Sequence, residues 1–290
     1  MSETLPAAPQ PALTPAQQAQ VLNIVRRAAR AEIMPRFRSL AASDISAKSH
    51  PEDLVTAADL AAEAMMTRAL QMAFPHALVL GEEACARDPL LVERIADAPL
   101  AFILDPVDGT WNFAHGLALF GVILAVTRFG RPEFGLIYDP VADDWAIAEE
   151  SGPARLERPI GGARPLKVAM GKPIENLTGH VPLNLFPPSV RHKLASLLPS
   201  FTRTEALRCS AHEYRMVAQG YSDFVLTASL TPWDHAAGAL ICARAGAHVE
   251  MLDGGPYTAA RTSGHLLVAP DRTTWNRLEK VFRVLLEVSD

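Results

Sequence analysis

The 290-residue sequence has only three cysteines, Cys85, Cys209 and Cys242. Their odd number and wide spacing exclude a disulfide framework and a CxxC zinc site. They fit a reducing compartment, so a cytoplasmic location is expected. Charge is scarce too: 27 Lys and Arg stand against 32 Asp and Glu, for a net charge of −5. No run of Lys and Arg reaches four, so the chain lacks the basic stripe of a dedicated nucleic-acid binder, and no nucleic-acid partner is expected. No apolar run approaches the roughly 20 residues that span a bilayer, and no membrane partner is expected either. No repeat at a period of roughly 20–50 residues recurs, which excludes a solenoid. The stretch 1–13 is rich in Ala and Pro but lacks the basic and apolar regions of a signal peptide, so it reads as a flexible tail.

What is present is apolar: 49% of residues are hydrophobic, enough for a large core. The length suggests about two lobes. Thr14-Pro15-Ala16-Gln17 starts a helix, with Thr14 and Gln17 as a capping box and Pro15 in the first turn, and the helix is expected to run to about Leu40. A second helix is expected from Thr56 to just before Pro75, with Leu60, Ala64, Met65 and Ala69 recurring at helical spacing. Short apolar runs at 77–80, 100–104, 120–129, 133–138 and 145–149 then predict an antiparallel meander. The Gly-, Pro- and Arg-rich stretch 151–165 reads as a junction between an α+β lobe (14–150) and an α/β lobe (166–290). In the second lobe, helices are expected at 189–198, 211–220, 232–245 and 271–287, and strands at 206–207, 224–227, 248–251 and 265–268.

Three acidic clusters stand at the ends of these elements. Glu82-Glu83 follows a strand, Asp105 and Asp108 flank Pro106-Val107 at another strand end, and Asp234 lies in the first turn of a helix. Strand ends are where open sheets place ligands. Pro106 fixes one torsion and Gly109 permits a tight exit, so both carboxylates and the Val107 carbonyl can face one side. Hard cations such as Mg²⁺ take oxygen ligands of this kind, and paired ions of this type split phosphate esters; Asp105 is the candidate bridge. Singly, each cluster has a plainer reading. Asp-Gly is a turn, Glu82-Glu83 a solvated loop, Asp234 a favourable charge at a helix start, and Asp59 the end of a capping box with Thr56.

The segments taken together are more specific. They are Lys48-Ser49 with Asp53 through Asp59 (DLVTAAD), Gly81-Glu82-Glu83, Asp105 through Phe113 (DPVDGTWNF) and Trp233 through Gly238 (WDHAAG). This set resembles the inositol monophosphatase family of Mg²⁺-dependent, lithium-sensitive phosphatases, over nearly the whole chain after the tail. The resemblance implies a layered αβαβα sandwich of the sugar-phosphatase type, usually a homodimer. It implies a phosphomonoesterase that hydrolyses a small sugar, inositol or nucleotide phosphate with a metal-activated water and two to three Mg²⁺ per site. Glu82, Asp105 and the Val107 carbonyl would hold the first ion, and Asp105, Asp108 and Asp234 the second. Glu82 would also touch a third. Five carboxylates and a phosphate dianion are nearly neutralised by three such ions. Thr110 with Asp59 would position the attacking water, the Gly109 and Thr110 amides would bind phosphate, and Asp234 would lie near the leaving oxygen. Cys209 and Ser210 match the substrate wall, with Arg208 and Thr227 beside them, although Ser210 to Glu213 also reads as a capping box. His115 and His235 have no metal role in the family's pattern, and Trp111 and Trp233 read as core.

Two positions depart from that pattern. Inositol-hydrolysing members carry a glutamate seven residues before the aspartate of the WD motif, where this chain has Thr227. The missing charge-assisted bond is worth roughly 1.5–3 kcal/mol, which argues against myo-inositol 1-phosphate as the main substrate. Arg208 stands where those members place a small residue, and its guanidinium suits a second phosphate or carboxylate. Alternative expectations are therefore a fructose-1,6-bisphosphatase, a 3′(2′),5′-bisphosphate nucleotidase, a histidinol-phosphate phosphatase, or a mainly binding protein, as some bacterial relatives act in RNA-polymerase complexes.

Overall fold

The computed structural model describes residues 12–287. Most of the expected tail, residues 1–11, lies outside the described residues, while Leu13 is already buried in the core. Thr14 caps helix α1 (Pro15–Ala28) through the expected box with Gln17. The helix does not continue to Leu40. It passes into a π turn at Ala29–Ile33 and a 3₁₀ turn at Met34–Arg36, because Pro35 has no N–H to offer the α ladder. An antiparallel hairpin that periodicity did not reveal, β1 (Ile45–Ala47) and β2 (Leu54–Thr56), leads into α2 (Ala57–Ala73).

The meander forms a seven-stranded sheet. Its parts are β3 (Leu78–Gly81), followed by helix α3 (Glu82–Arg87), then β4 (Ala101–Asp108), followed by α4 (Thr110–Ala114), then β5 (Gly121–Arg128), β6 (Arg131–Asp139), β7 (Asp144–Glu149), β8 (Arg155–Glu157) and β9 (Ala163–Pro165). The strands lie side by side in chain order, and only the β3–β4 pair is parallel. The stretch 151–165 thus supplies the sheet's last two strands. The second sheet follows: β10 (Thr178–His180), helix α5 (Pro188–Leu197), β11 (Arg203–Glu205), helix α6 (Ser210–Ala218), β12 (Phe224–Leu226), helix α7 (Pro232–Arg244), β13 (His248–Met251), β14 (Leu266–Ala269) and helix α8 (Arg272–Phe282). Its spatial order is β11-β10-β12-β14-β13, with mixed directions. The strand expected at 206–207 lies instead at Arg203–Glu205. The Leu207 N–H donates to the Glu213 carboxylate and its carbonyl accepts from Asn112, which draws this pair off the sheet edge.

The period of two along the strands sorts residues between layers. On β5, Val122, Leu124 and Val126 pack against α1 and α2, while Ile123 and Ala125 face α6 and α7. On β12 and β14, Val225, Leu266 and Val268 face α6 and α7, while Phe224, Leu226 and Leu267 pack against α5 and α8. The result is the expected layering of helices, sheet, helices, sheet and helices. Gly238 lets α7 meet α6 closely, since a Cβ there would stand 2.2 Å from the Tyr214 ring.

Candidate active site

Proline in a strand makes the site's first feature. The β4–β5 ladder pairs Asp105 with Ile123 and Asp108 with Gly121, so β4 carries one extra residue between them. Pro106 cannot donate to the ladder, and the strand bulges there. The sequence places Asp105 at the strand's end; in the fold the strand runs on to Asp108. The Val107 N–H turns back to Asp105 Oδ1 at 3.0 Å, and Gly109, at φ 87°, reverses the chain into α4.

The start of α7 brings Asp234 to the same point. One oxygen from each of Asp105, Asp108 and Asp234 lies within 4.8 Å of the others. Glu82, at the first position of α3, adjoins them through the parallel β3–β4 pair. Lys48 reaches Glu82 Oε1 and, at 3.0 Å, Glu83 Oε1. Burial works against the Lys48 charge, but the two glutamates outweigh it and hold the ammonium protonated. Sequence reasoning quoted Lys48 in a motif without giving it this task.

Asp59 fulfils its plain and its chemical reading at once. Its Oδ2 accepts from the Thr56 N–H at 2.9 Å and from the Thr56 hydroxyl, closing the capping box of α2. Its Oδ1 accepts from the Thr110 hydroxyl at 3.1 Å, and that hydroxyl also lies 3.0 Å from the Val107 carbonyl. Two segments about fifty residues apart in sequence therefore meet at one hydroxyl.

Asp108 has a structural task that the sequence conceals. Its carboxylate accepts from the N–H groups of Ser210 (3.1 Å) and Ala211 (2.6 Å) and from the Cys209 thiol (3.0 Å). It thus caps α6 from outside. The expected capping box of Ser210 and Glu213 does not form, because Cys209 is the N-cap and Glu213 bonds the Leu207 N–H. Cys209 and Ser210 consequently touch Asp108. Thr227 is buried, and its hydroxyl accepts from the Leu266 N–H at 2.9 Å as an extension of the β12–β14 pair. Arg208 has a left-handed backbone (φ 56°), and its guanidinium lies over the Trp111 ring at 4.2 Å and 3.5 Å from Glu52. Trp111 stacks on exposed His115 and is half-buried rather than core. Both nitrogens of buried His235 are engaged, by the Tyr214 hydroxyl and the Ser229 carbonyl.

So many carboxylates in one pocket resist ionisation. Burial, then the Glu82 charge, raises Asp59 to about 7; burial, then Asp234, raises Asp108 to about 7. Asp105 is pushed well up by burial and by its neighbours Glu82, Asp108 and Asp234. Burial raises Glu82 and Asp234 as well. The donor set is entirely oxygen, converges within one ion's reach and has more carboxylates than the single ammonium of Lys48 can balance. It fits a hard divalent cation.

Known proteins resemble this chain in sequence and in fold. The model of the inositol monophosphatase family matches residues 15–286. The chain is 30% identical over 215 residues to an inositol-1-monophosphatase of Bacillus subtilis, covering 74% of this chain and 78% of that one. It is 31% identical over 263 residues to the Nus factor SuhB of Pseudomonas aeruginosa, covering 83% and 92%. An IMPase structure from Thermotoga maritima superimposes with a TM-score of 0.76 at 23% identity, covering 94% of this chain and 98% of that one, and shows the same fold. No helix among the described residues is long and apolar enough to cross a membrane. The chain belongs to the inositol monophosphatase family.

Proposed function

We propose that the protein is a Mg²⁺-dependent phosphomonoesterase acting on a small phosphorylated metabolite. The observation that carries this reading is the convergence of Asp105, Asp108 and Asp234 beside the Thr110–Asp59 hydrogen bond. Asp105, Glu82 and the Val107 carbonyl would hold one ion, and Asp105, Asp108 and Asp234 a second. Bound there, Mg²⁺ would draw charge from the phosphoryl oxygens and lower the pKa of water. The remaining work belongs to the chain. Asp59 accepts from the Thr110 hydroxyl, which leaves that oxygen's lone pairs to receive a proton from the attacking water. Asp59, anchored by Thr56, takes up the proton relayed through it. The first helical bond of α4 runs from Phe113 N to Gly109 O, so the N–H groups of Gly109 and Thr110 precede the helical ladder and suit a phosphate oxygen. Asp234 sits where it would orient a water toward the leaving oxygen.

Cys209 and Ser210 act in this reading through Asp108, which they hold, and Thr227 acts through the sheet. The substrate wall is then Arg208 with Trp111. The homodimer is carried over from the family resemblance, and the cytoplasmic setting from the few, widely spaced cysteines. Phosphate release from sugar, inositol and nucleoside phosphates, with and without Mg²⁺, tests the proposal. Mg²⁺-dependent turnover of at least one ester is expected; no turnover of any ester with Mg²⁺ overturns it.

A further inference from the structure

Helix α3 carries Glu82 and Glu83 in its first turn, and its N-cap is Gly81, which has no side chain to cap it. The free N–H groups of that turn need an acceptor. One comes from another helix. Glu63 of α2, only 5% exposed, accepts the Glu83 N–H on its Oε2 at 2.8 Å. The Ala84 N–H also bonds to it. The fit depends on Gly81, where a Cβ would stand 2.2 Å from Glu63 Oε2. Arg87, at the other end of α3, approaches the same carboxylate at 3.7 Å. Glu63 lies one turn beyond Asp59, so a single face of α2 presents one carboxylate to Thr110 and the next to α3.

We infer that Glu63 is a positioning residue for Glu82. It grips the first turn of α3 and so sets where Glu82 enters the acidic pocket, tying that side chain to the helix that also places Asp59. Glu63 touches neither substrate nor ion; it acts through the backbone of its neighbour. The inference rests on the reading of Glu82 as a metal-binding side chain.

The test is a Mn²⁺ titration followed by electron paramagnetic resonance, which needs no turnover, on wild type, E63Q, E63M and E82Q. Glutamine keeps an acceptor for the Glu83 N–H, whereas methionine fills the space without one. E63Q is expected to bind Mn²⁺ within about twofold of wild type and E63M about tenfold more weakly. A merely destabilising change would lower Tm and leave Kd alone. E63M binding as tightly as wild type overturns the inference, and so does E63Q losing as much as E63M. Should the variants fail to fold, hydrogen exchange on wild type decides. Saturating Mg²⁺ is expected to slow exchange at the Glu83 amide, and unchanged exchange overturns the coupling. A wild type that binds no Mn²⁺, or E82Q binding as wild type does, overturns the active-site reading itself. Loss in E82Q with none in E63M overturns only the part played by Glu63.

Discussion

Two groups of carboxylates lie on the seven-stranded sheet, one at the bulged end of β4 and one where β6 turns into β7. At the turn, Asp143 and Asp144 each have a cation. Buried Asp144 receives Arg215, and Asp143 receives Arg26 and Arg30 together with the Tyr138 hydroxyl. Hydrogen bonds from Arg26 and its neighbours hold Asp143 down at about 2. At the bulge, Lys48 bonds Glu82 and Glu83, no ion pair to Asp59, Asp105 or Asp108 forms among the described residues, and Asp59 and Asp108 rise to about 7. The same residue type is a strut in one place and an unmet demand for positive charge in the other. Chemistry is expected where the charge is unmet.

The strongest way to break this comparison is Asp105→Asn. It removes the carboxylate that would serve both ions, and kcat is expected to fall at least about a thousandfold, roughly 4 kcal/mol. The metal-free Tm should hold, because the buried Asp105 carboxyl already resists ionisation and asparagine keeps an oxygen for the Val107 N–H. Phosphate-release kinetics and a thermal melt check both halves; more than about a tenth of the wild-type rate, a loss under roughly 1.4 kcal/mol, refutes the metal assignment. Arg215→Met is the mirror experiment. It leaves buried Asp144 with only the exposed Arg158 at 3.7 Å and is expected to cost about 3 kcal/mol of stability, by denaturant melts, with kcat of the folded fraction unchanged. A variant as stable as wild type would mean that the paired region is no strut.

Thr110→Ala comes next. It is expected to lower kcat about a hundredfold, near 3 kcal/mol, with KM nearly constant, because the hydroxyl acts on the water in the transition state. Asp59→Asn should add little to it, since both groups serve one proton path; full additivity would separate them.

The pH dependence sharpens the contrast through its sign. Asp59 and Asp108 have folded values near 7, above the unfolded carboxyl, so the folded state holds the extra protons between about pH 4 and 7. Metal-free stability, and with it Tm, should therefore fall as pH rises through that window. Asp143 works oppositely: its contribution is complete above about pH 4, the unfolded value, and is lost as pH falls toward its folded value of about 2. Saturating Mg²⁺ should flatten the first slope and leave the second unaltered. Melting curves across pH, with and without the ion, show whether it does.

The sequence made parts of this contrast legible. Gln17, Pro15 and Thr14 marked a helix start because capping is local, and the meander showed in its short apolar runs. The acidic motifs showed because each lies within a few residues of chain. What stayed hidden was made by contacts distant in sequence. Asp108 caps a helix about a hundred residues on, and Glu63 caps one that Gly81 leaves bare. Short strands such as β10, three residues long, carry too few side chains for a period to register. Pro106, which as a rule argues against a strand interior, sits inside one by virtue of the bulge.

The smallest expected effect concerns the rim. The sequence suggested that Arg208 holds a second anion of the substrate. In the fold its guanidinium already has two partners, the face of Trp111 and the Glu52 carboxylate, and its left-handed backbone is steadied by Asn112 bonding the Leu207 and Arg208 carbonyls. Cation–π contact at an exposed position is worth about 0.5–1 kcal/mol, and an exposed ion pair no more. Arg208 thus ties the 48–53 loop, which carries Lys48, to the segment entering α6. Arg208→Ala is accordingly expected to lower kcat/KM only about two- to threefold, and equally, on a sugar bisphosphate, a nucleoside bisphosphate and inositol monophosphate. A loss confined to the bisphosphates, of roughly 1.5–3 kcal/mol, would show that the guanidinium leaves Trp111 to meet a second anion. In that case the rim, like the bulge of β4, would be a place where charge waits for the substrate.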